Sequence, residues 1–313
     1  MKHEQKPEMI TLLGPTASGK TKLATRLAEA INGQIISADS RQVYRAMNLG
    51  TGKDLAEYHI NGKNIPYHLI DIADPGYEYS VFEFARDFRI ACQQVINDGC
   101  TPILCGGTGL YLDAILRGYQ LSEAKPDTAL RQALEMKTDQ ELIEMLTRMR
   151  NLHNHTDIDD RKRLIRAIEI ATLEKEQHPA SAAVRANSLV FGLRWERSTL
   201  RQRITARMKQ RLDQGMAEEI RNLITSGIEP EKLMFYGLEY KYITLYIIGK
   251  LSFDDMYDQL NTGIHQFAKR QMTWFRRMER NGISINWLDG EAGEDINTCR
   301  MVEICNKAGF QKV

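Results

Sequence analysis

The 313-residue chain carries at residues 14–21 the octapeptide Gly14-Pro15-Thr16-Ala17-Ser18-Gly19-Lys20-Thr21, a full G-x-x-x-x-G-K-[ST] pattern. Its flanks constrain the fold as much as the loop does. The apolar run Met9 to Leu13 leads in. Lys22 to Ile31 leads out, with Leu23, Leu27 and Ile31 on one stripe, and closes at Asn32-Gly33. Strand, glycine loop and helix in that order point successive backbone N–H groups at an anion, at a helix N-terminus whose dipole favours it. The Lys20 ammonium then reaches the outer phosphates, and the Thr21 hydroxyl is a candidate Mg²⁺ ligand. Gly14 through Thr21 are all candidate diphosphate contacts, whichever diphosphate that is.

Downstream, short apolar runs alternate with amphipathic stretches. Gln34 to Ala38, Tyr67 to Ile72 and Thr101 to Cys105 predict strands, and Ser188 to Leu193 predicts one that rejoins the sheet much later. Ser80-Val81-Phe82-Glu83 is a capping box for a helix with Phe84, Phe88, Cys92 and Val95 inward, stopped at Asn97-Asp98-Gly99. This alternation predicts an α/β fold, a P-loop NTPase-like parallel sheet flanked by helices. Residues 121–187 hold no strand-like run. Helices over 127–150 and 158–176, capped by Asp127 and by Asp159 or Asp160, make them a helical insertion domain between two parts of a core, 1–120 and 188–313. Beyond it, Ser198 to Ser226 reads as one long helix stopped by Gly227, and Ser252 opens another that runs towards Arg280. Ile283 to Leu288 is a candidate edge strand.

A net charge of +1 with 27% charged residues excludes a polycation, so any nucleic-acid surface must come from clustering. No stretch reaches the roughly 18 apolar residues of a membrane span, and no apolar signal region follows the first methionine, which predicts a cytoplasmic protein off the membrane. The five cysteines, Cys92, Cys100, Cys105, Cys299 and Cys305, are odd in number and nowhere spaced C-x-x-C. They read as small buried thiols, not a disulfide framework or a zinc site.

In open parallel sheets the ligand crevice lies outside the carboxyl ends of the strands. The second strand delivers Asp39, Ser40, Arg41 and Gln42 there, and the fourth delivers a second glycine turn, Gly106-Gly107-Thr108-Gly109. An Asp after a strand is ordinarily a turn or cap. Beside a phosphate loop, Asp39 is instead a candidate Mg²⁺ ligand or general base, and its position leaves both open. Thr108 is as well explained by a turn hydroxyl as by a functional one. The apolar strand ending in Asp that holds Mg²⁺ in nucleotide hydrolases has its nearest counterpart in His68-Leu69-Ile70-Asp71, where the Asp falls inside the run. That argues against a motor ATPase and leaves small-molecule kinases and other diphosphate users.

Basic residues cluster three times. Arg161, Lys162, Arg163 and Arg166 sit at the base of the insertion, and seven residues from Arg194 to Arg211 are basic against one acid, Glu196. Lys269-Arg270 and Arg276-Arg277 are interleaved with Trp274 and Phe275. In a near-neutral chain, three such patches point to a polyanion held by phosphate contacts and aromatic stacking.

With these residues the chain resembles the tRNA dimethylallyltransferases, isopentenyltransferases of the bacterial type. The likeness is carried by Gly14–Thr21, Ala38-Asp39-Ser40 with Val43-Tyr44, Gly50-Thr51-Gly52-Lys53, Leu69-Ile70-Asp71 with Asp74-Pro75, and Tyr79-Ser80. It continues through Gly106 to Tyr111, Asp160-Arg161 with Arg166 to Glu169, and Ala268-Lys269-Arg270-Gln271 with Thr273 to Arg276. The resemblance implies transfer of a dimethylallyl group from dimethylallyl diphosphate to N6 of the adenosine 3′ of the anticodon, position 37 of tRNA, with release of diphosphate. It implies Asp39 as general base, with Lys20 and Thr108 beside it among the catalytic residues, and Thr16, Lys20 and Thr21 on diphosphate and Mg²⁺. On the RNA it implies Asp39, Ser40, Arg41, Gln42, Thr108, Arg163, Leu164, Ile165, Arg166, Ala167, Lys269 and Arg270. It also implies that the insertion grips the anticodon stem-loop and that the protein is a monomer.

One stretch departs from that family. An arginine is expected shortly before a Gly-Tyr pair, at the diphosphate end of the reaction channel. Here residues Leu233 to Lys241 read LMFYGLEYK, and no arginine lies between Gly227 and Gly237. Either Lys232 or another cation stands in, or activity, donor choice or tRNA set differs. Two further readings stay open: a P-loop small-molecule kinase, which the basic patches disfavour, and a tRNA-binding relative without catalysis.

Overall fold

Met9–Leu13 (β1) is buried along its whole length, as a strand must be when helices cover both faces of its sheet. The computed structural model describes residues 6–119, 127–149, 161–176 and 185–310. After β1 come Lys20–Ile31 (α1), Gly33–Ala38 (β2), a small antiparallel hairpin of His59–Ile60 (β3) and Lys63–Asn64 (β4), and the short Tyr67–His68 (β5). Val81–Asn97 (α2), Thr101–Gly106 (β6) and Gly109–Arg117 (α3) follow. A separate compact unit, Gly118–Val184, holds Thr128–Glu135 (α4), Asp139–Met149 (α5) and Arg161–Glu176 (α6) around Leu134, Leu142, Leu146, Leu164 and Ile168. The chain returns with Ser188–Arg194 (β7), Arg197–Asp213 (α7), Met216–Thr225 (α8), Pro230–Leu233 (α9), Leu238–Ile247 (α10), Phe253–Arg280 (α11), Asn286–Asp289 (β8) and Glu294–Lys307 (α12).

The sheet runs β5-β2-β6-β1-β7-β8 with every pairing parallel. Strand β1 therefore lies between β6 and β7, with Leu12 opposite Cys105 on one side and Phe191 on the other. Side chains alternate across the strands and build a core on each face. Ile10, Leu12, Ile35, Ile103 and Phe191 join Leu27 and Met301 of the flanking helices. Leu13, Ile36 and Leu104 join Phe84, Phe88, Tyr111 and Phe275. A third cluster unites α7, α8, α10 and α11 with Val43 and Tyr44 of the loop after β2, so this helical layer buttresses the carboxyl end of the sheet.

Several local expectations hold. Ser80 Oγ accepts the Glu83 N–H at 3.2 Å while the Glu83 carboxylate accepts the Ser80 N–H at 2.8 Å, and Asp127 caps α4 by accepting from Leu130 at 2.9 Å. Others do not. The third strand stops at His68, because Leu69 and Asp71 adopt left-handed φ values of 62° and 56°. The segment then pairs with the loop after β2, where the Ile72 N–H donates to the Val43 carbonyl at 2.8 Å. The helix expected over Ser198 to Ser226 breaks into α7 and α8 at Gly215, whose φ of 98° suits a residue without Cβ. The helix expected over 127–150 breaks at Thr138, which forms a new cap with Glu141. Of the thiols, Cys105 and Cys305 are buried, Cys92 and Cys100 only partly, and Cys299 is exposed. Asp159 and Asp160 lie outside the described residues. No helix among the described residues is long and apolar enough to cross a membrane.

Candidate active site

The chain leaves β1 at Gly14 and turns on Ala17 and Gly19, both left-handed with φ of 59° and 88°. No side chain caps α1, so the N–H groups of its first turn are open to an anion. Ser18 Oγ is buried with no partner among the described residues, a second polar group that a ligand oxygen would satisfy. Burial holds the Lys20 ammonium below the usual lysine range, against the pull of the Asp39 and Glu57 carboxylates. A desolvated cation of this kind gains when an anion arrives.

Asp39 and Thr108 come from neighbouring strands. Ala38 pairs with Gly106 in the β2–β6 ladder, and a Cβ on Gly106 would collide with the Ala38 carbonyl. Beyond the ladder the Thr108 N–H donates to the Ala38 carbonyl at 3.2 Å, and the Ser40 N–H donates to Thr108 Oγ1 at 3.0 Å. Asp39 Oδ1 accepts the Arg41 N–H at 2.9 Å, an Asx turn, which leaves Oδ2 without a hydrogen bond among the described residues. Gln42 faces inward, accepting from Ser37 Oγ at 3.1 Å and donating to the Gly52 carbonyl at 3.0 Å.

The two glycine turns are tied by Gln271 of α11. Its Oε1 accepts the Thr16 N–H at 2.9 Å, and its Nε2 donates to the Gly107 carbonyl at 2.8 Å. A Cβ on Gly107 would lie 2.5 Å from that Nε2, and one on Gly109 would lie 2.5 Å from the Trp274 ring. In the second turn Gly107 and Gly109 are needed because α11 presses on them, while in the phosphate loop Gly19 is suited by its φ of 88°. In the sequence Gln271 was only one letter of the matched motif, with no signal for this role.

Arg203, Arg207 and Arg211 recur every four residues along α7, Arg203 exposed, Arg207 half-buried and Arg211 buried. The Arg203 Nε donates to the Ala17 carbonyl at 3.0 Å, with its guanidinium 4.1 Å from the Trp195 ring. Arg207 and Arg211 both bind Asp54, Arg211 at 3.1 Å. Burial alone would raise the Asp54 carboxyl, but the two guanidiniums outweigh it and hold it below the usual range. Beside the phosphate loop a pocket opens between Thr16, Arg207, Arg211 and Glu239, with Ile204 and Met208 as apolar walls. Burial pushes the Glu239 carboxyl above the usual range. Arg207 and Arg211 are thus the cations at this end of the site, while Lys232 lies on the surface, paired with Glu229 at 3.3 Å.

The other expected contacts divide. In the helical unit, Arg131 and Arg166 clamp the buried Glu169 at 2.6 and 3.0 Å, Arg163 is exposed, and Leu164, Ile165 and Ala167 are core residues. Lys269 and Arg270 are exposed on α11. Phe275 is fully buried and offers no base-stacking face, whereas Trp274 is half-buried, its ring over Gly109 and 5.7 Å from the Arg277 guanidinium. Burial pushes the Cys105 thiol up to about 12, which disqualifies it as a nucleophile. Among the described residues no three His, Cys, Asp or Glu side chains could together hold a metal. Thr21 stands in the first turn of α1, so an Mg²⁺ bound here would be held chiefly by phosphate oxygens and water, with the Thr21 hydroxyl as a protein oxygen.

Residues 42–278 match the family model described as IPP transferase, and residues 7–67 match the one described as isopentenyl transferase. A tRNA dimethylallyltransferase 2 of Bacteroides fragilis is 54% identical over 288 residues, covering 90% of this chain and 92% of its own. One of the same name from Phocaeicola vulgatus is 56% identical over 289 residues, covering 91% and 93%. The crystal structure of the full-length tRNA isopentenylpyrophosphate transferase of Bacillus halodurans superposes with a TM-score of 0.71 at 31% identity, covering 97% of both chains.

Proposed function

The chain belongs to the IPP transferase family, and we propose that it moves a dimethylallyl group from dimethylallyl diphosphate to N6 of the adenosine at position 37 of tRNA. The observation that carries this reading is the juxtaposition of Asp39, one carboxylate oxygen unengaged, with Lys20 of the phosphate loop. A base and a leaving-group cradle at adjacent strand ends are what allylic transfer to an amine requires. The bond between the allylic carbon and the diphosphate oxygen breaks, the N6–carbon bond forms, and the N6 proton passes to Asp39. The loop N–H groups, Lys20 and Arg207 take up the charge gained by the leaving diphosphate. Mg²⁺ held by Thr21 and the phosphates would neutralise that charge further. Thr108 fixes the base by its bonds on either side of Asp39, so nucleophile and electrophile meet without covalent help.

On the RNA side, Ser40, Arg41, Lys269 and Arg270 border the crevice and the helical unit contributes Arg163 to the anticodon stem-loop, with the protein acting as a monomer in the cytoplasm. The test is incubation with dimethylallyl diphosphate, Mg²⁺ and an anticodon stem-loop, followed by mass analysis of the nucleosides. Prenylated adenosine is expected. Bound but unmodified RNA would instead mark a relative without catalysis, and nucleotide-dependent phosphorylation of a small molecule would mark a kinase.

A further inference from the structure

The segment that departs from the family places a large aromatic at the mouth of the site. Phe235 is 54% exposed in the 3-10 turn Met234–Tyr236, between Leu233 and Tyr236, which are both buried. Tyr236 anchors that turn to the loop bearing Asp39: its ring meets Tyr44 edge-on at 4.6 Å, and its hydroxyl donates to the Tyr77 carbonyl at 3.4 Å. The Arg41 guanidinium lies 5.6 Å from the Phe235 ring centroid, and the Arg41 N–H is the one that holds Asp39 Oδ1. Gly237 follows at φ 133°, a backbone conformation that favours glycine, where a Cβ would stand in ordinary contact range of Arg41 Nε. An exposed π-face on an anchored turn, a cation against it and the Asp39 carboxylate two residues from that cation thus follow one another.

We propose that Phe235, with Arg41, is a stacking platform for the nucleobase next to the target adenine. This rests on the RNA-prenylation reading above. When a base leaves its stack to enter a site, its neighbour loses a stacking partner, and aromatic rings and arginine planes are the usual replacements in single-stranded loops. Phe235 acts by positioning the RNA and takes no part in the bond changes.

The test compares wild type with Phe235→Leu, Phe235→Ala and Phe235→Tyr on an anticodon stem-loop, alone and with 2-aminopurine on either side of the target. Phe235→Leu keeps an apolar side chain but removes the π-face. Stacking predicts that Phe235→Leu and Phe235→Ala raise the RNA KM roughly 10- to 100-fold, leave the donor KM unchanged, and abolish 2-aminopurine quenching on binding. Phe235→Tyr should restore both. Thermal melting identifies any variant that has not folded, and Phe235→Leu is the one least exposed to that failure. Unimpaired Phe235→Leu in an active wild-type background, quenching that persists, or an effect on the donor alone would overturn the platform. A wild-type protein that yields no prenylated adenosine would overturn the reading beneath it.

Discussion

Thr108 brackets Asp39 from the neighbouring strand, its N–H on the Ala38 carbonyl and its hydroxyl under the Ser40 N–H. The carboxylate therefore sits on a backbone pinned at both sides. Replacing Asp39 with Ala should slow prenyl transfer by roughly 10²- to 10⁴-fold and leave RNA affinity near wild type. Thr108→Ala should show the same pattern more weakly, because it loosens the base without removing it. Single-turnover rates beside filter-binding affinities separate these effects from a loss of RNA binding.

Lys20 is desolvated in the free protein, which lowers its pKa, and a bound diphosphate would restore the preference for the charged form. Diphosphate binding should therefore draw a proton onto the protein at pH values near the lowered Lys20 pKa, and affinity should fall as pH rises through it. Lys20→Ala should weaken binding about 10- to 100-fold and flatten that dependence. Calorimetry with inorganic diphosphate and Mg²⁺ in buffers of different ionisation enthalpy reads both.

Glu239 works in the opposite sense. Burial raises its carboxyl above the ordinary 4.5, so the folded protein holds this proton more tightly than the unfolded chain does. Its contribution favours the fold below about pH 4.5 and is lost as pH rises through the raised value. Glu239→Gln should remove that loss, making the variant progressively more stable than wild type between acid and neutral pH. Urea midpoints across the range measure the difference.

Glu219 is a structural hub. Its carboxylate accepts the N–H groups of Asn48, Leu49 and Gly50 at 2.9, 2.7 and 3.2 Å, and the Tyr240 hydroxyl at 2.6 Å. Glu219→Ala strands these donors and should cost about 2–4 kcal/mol of stability, by the penalty for unpairing donors from a charged group. Chemical denaturation checks it, and a loss under half a kcal/mol would contradict the assignment.

If Lys269 and Arg270 meet RNA phosphates, replacing both with Ala should lower the slope of log affinity against log salt by about 1–2. Donor binding should not change.

Much of this architecture was legible because its signals are local. The phosphate loop, the capping box at Ser80 and the glycine turn at Gly106 each announce themselves within a few residues. What escaped reading depends on the partner across space. Leu69 to Ile72 has a strand's composition, yet the chain bends there to pair with the loop at Val43. Arg203, Arg207 and Arg211 read as a polyanion surface because a sequence does not reveal which face of α7 meets the phosphate loop and Asp54. Gln271 is unremarkable by type, and its value comes entirely from lying between two turns far away in the chain. Phe235 reads as one more apolar residue until the burial of Leu233 and Tyr236 leaves it alone outside.

The bond from Thr16 to Gln271 spans 255 positions. At about 5–20 residues per second of synthesis, roughly 10–50 s separate the translation of the phosphate loop from that of the side chain that ties it to the second turn. Through that interval β1 also waits for β7, its neighbour at the centre of the sheet. A nascent chain thus carries its most recognisable motif long before it can hold that motif in place, and small-molecule ligands that need the tied loop can stabilise only a chain synthesised through α11.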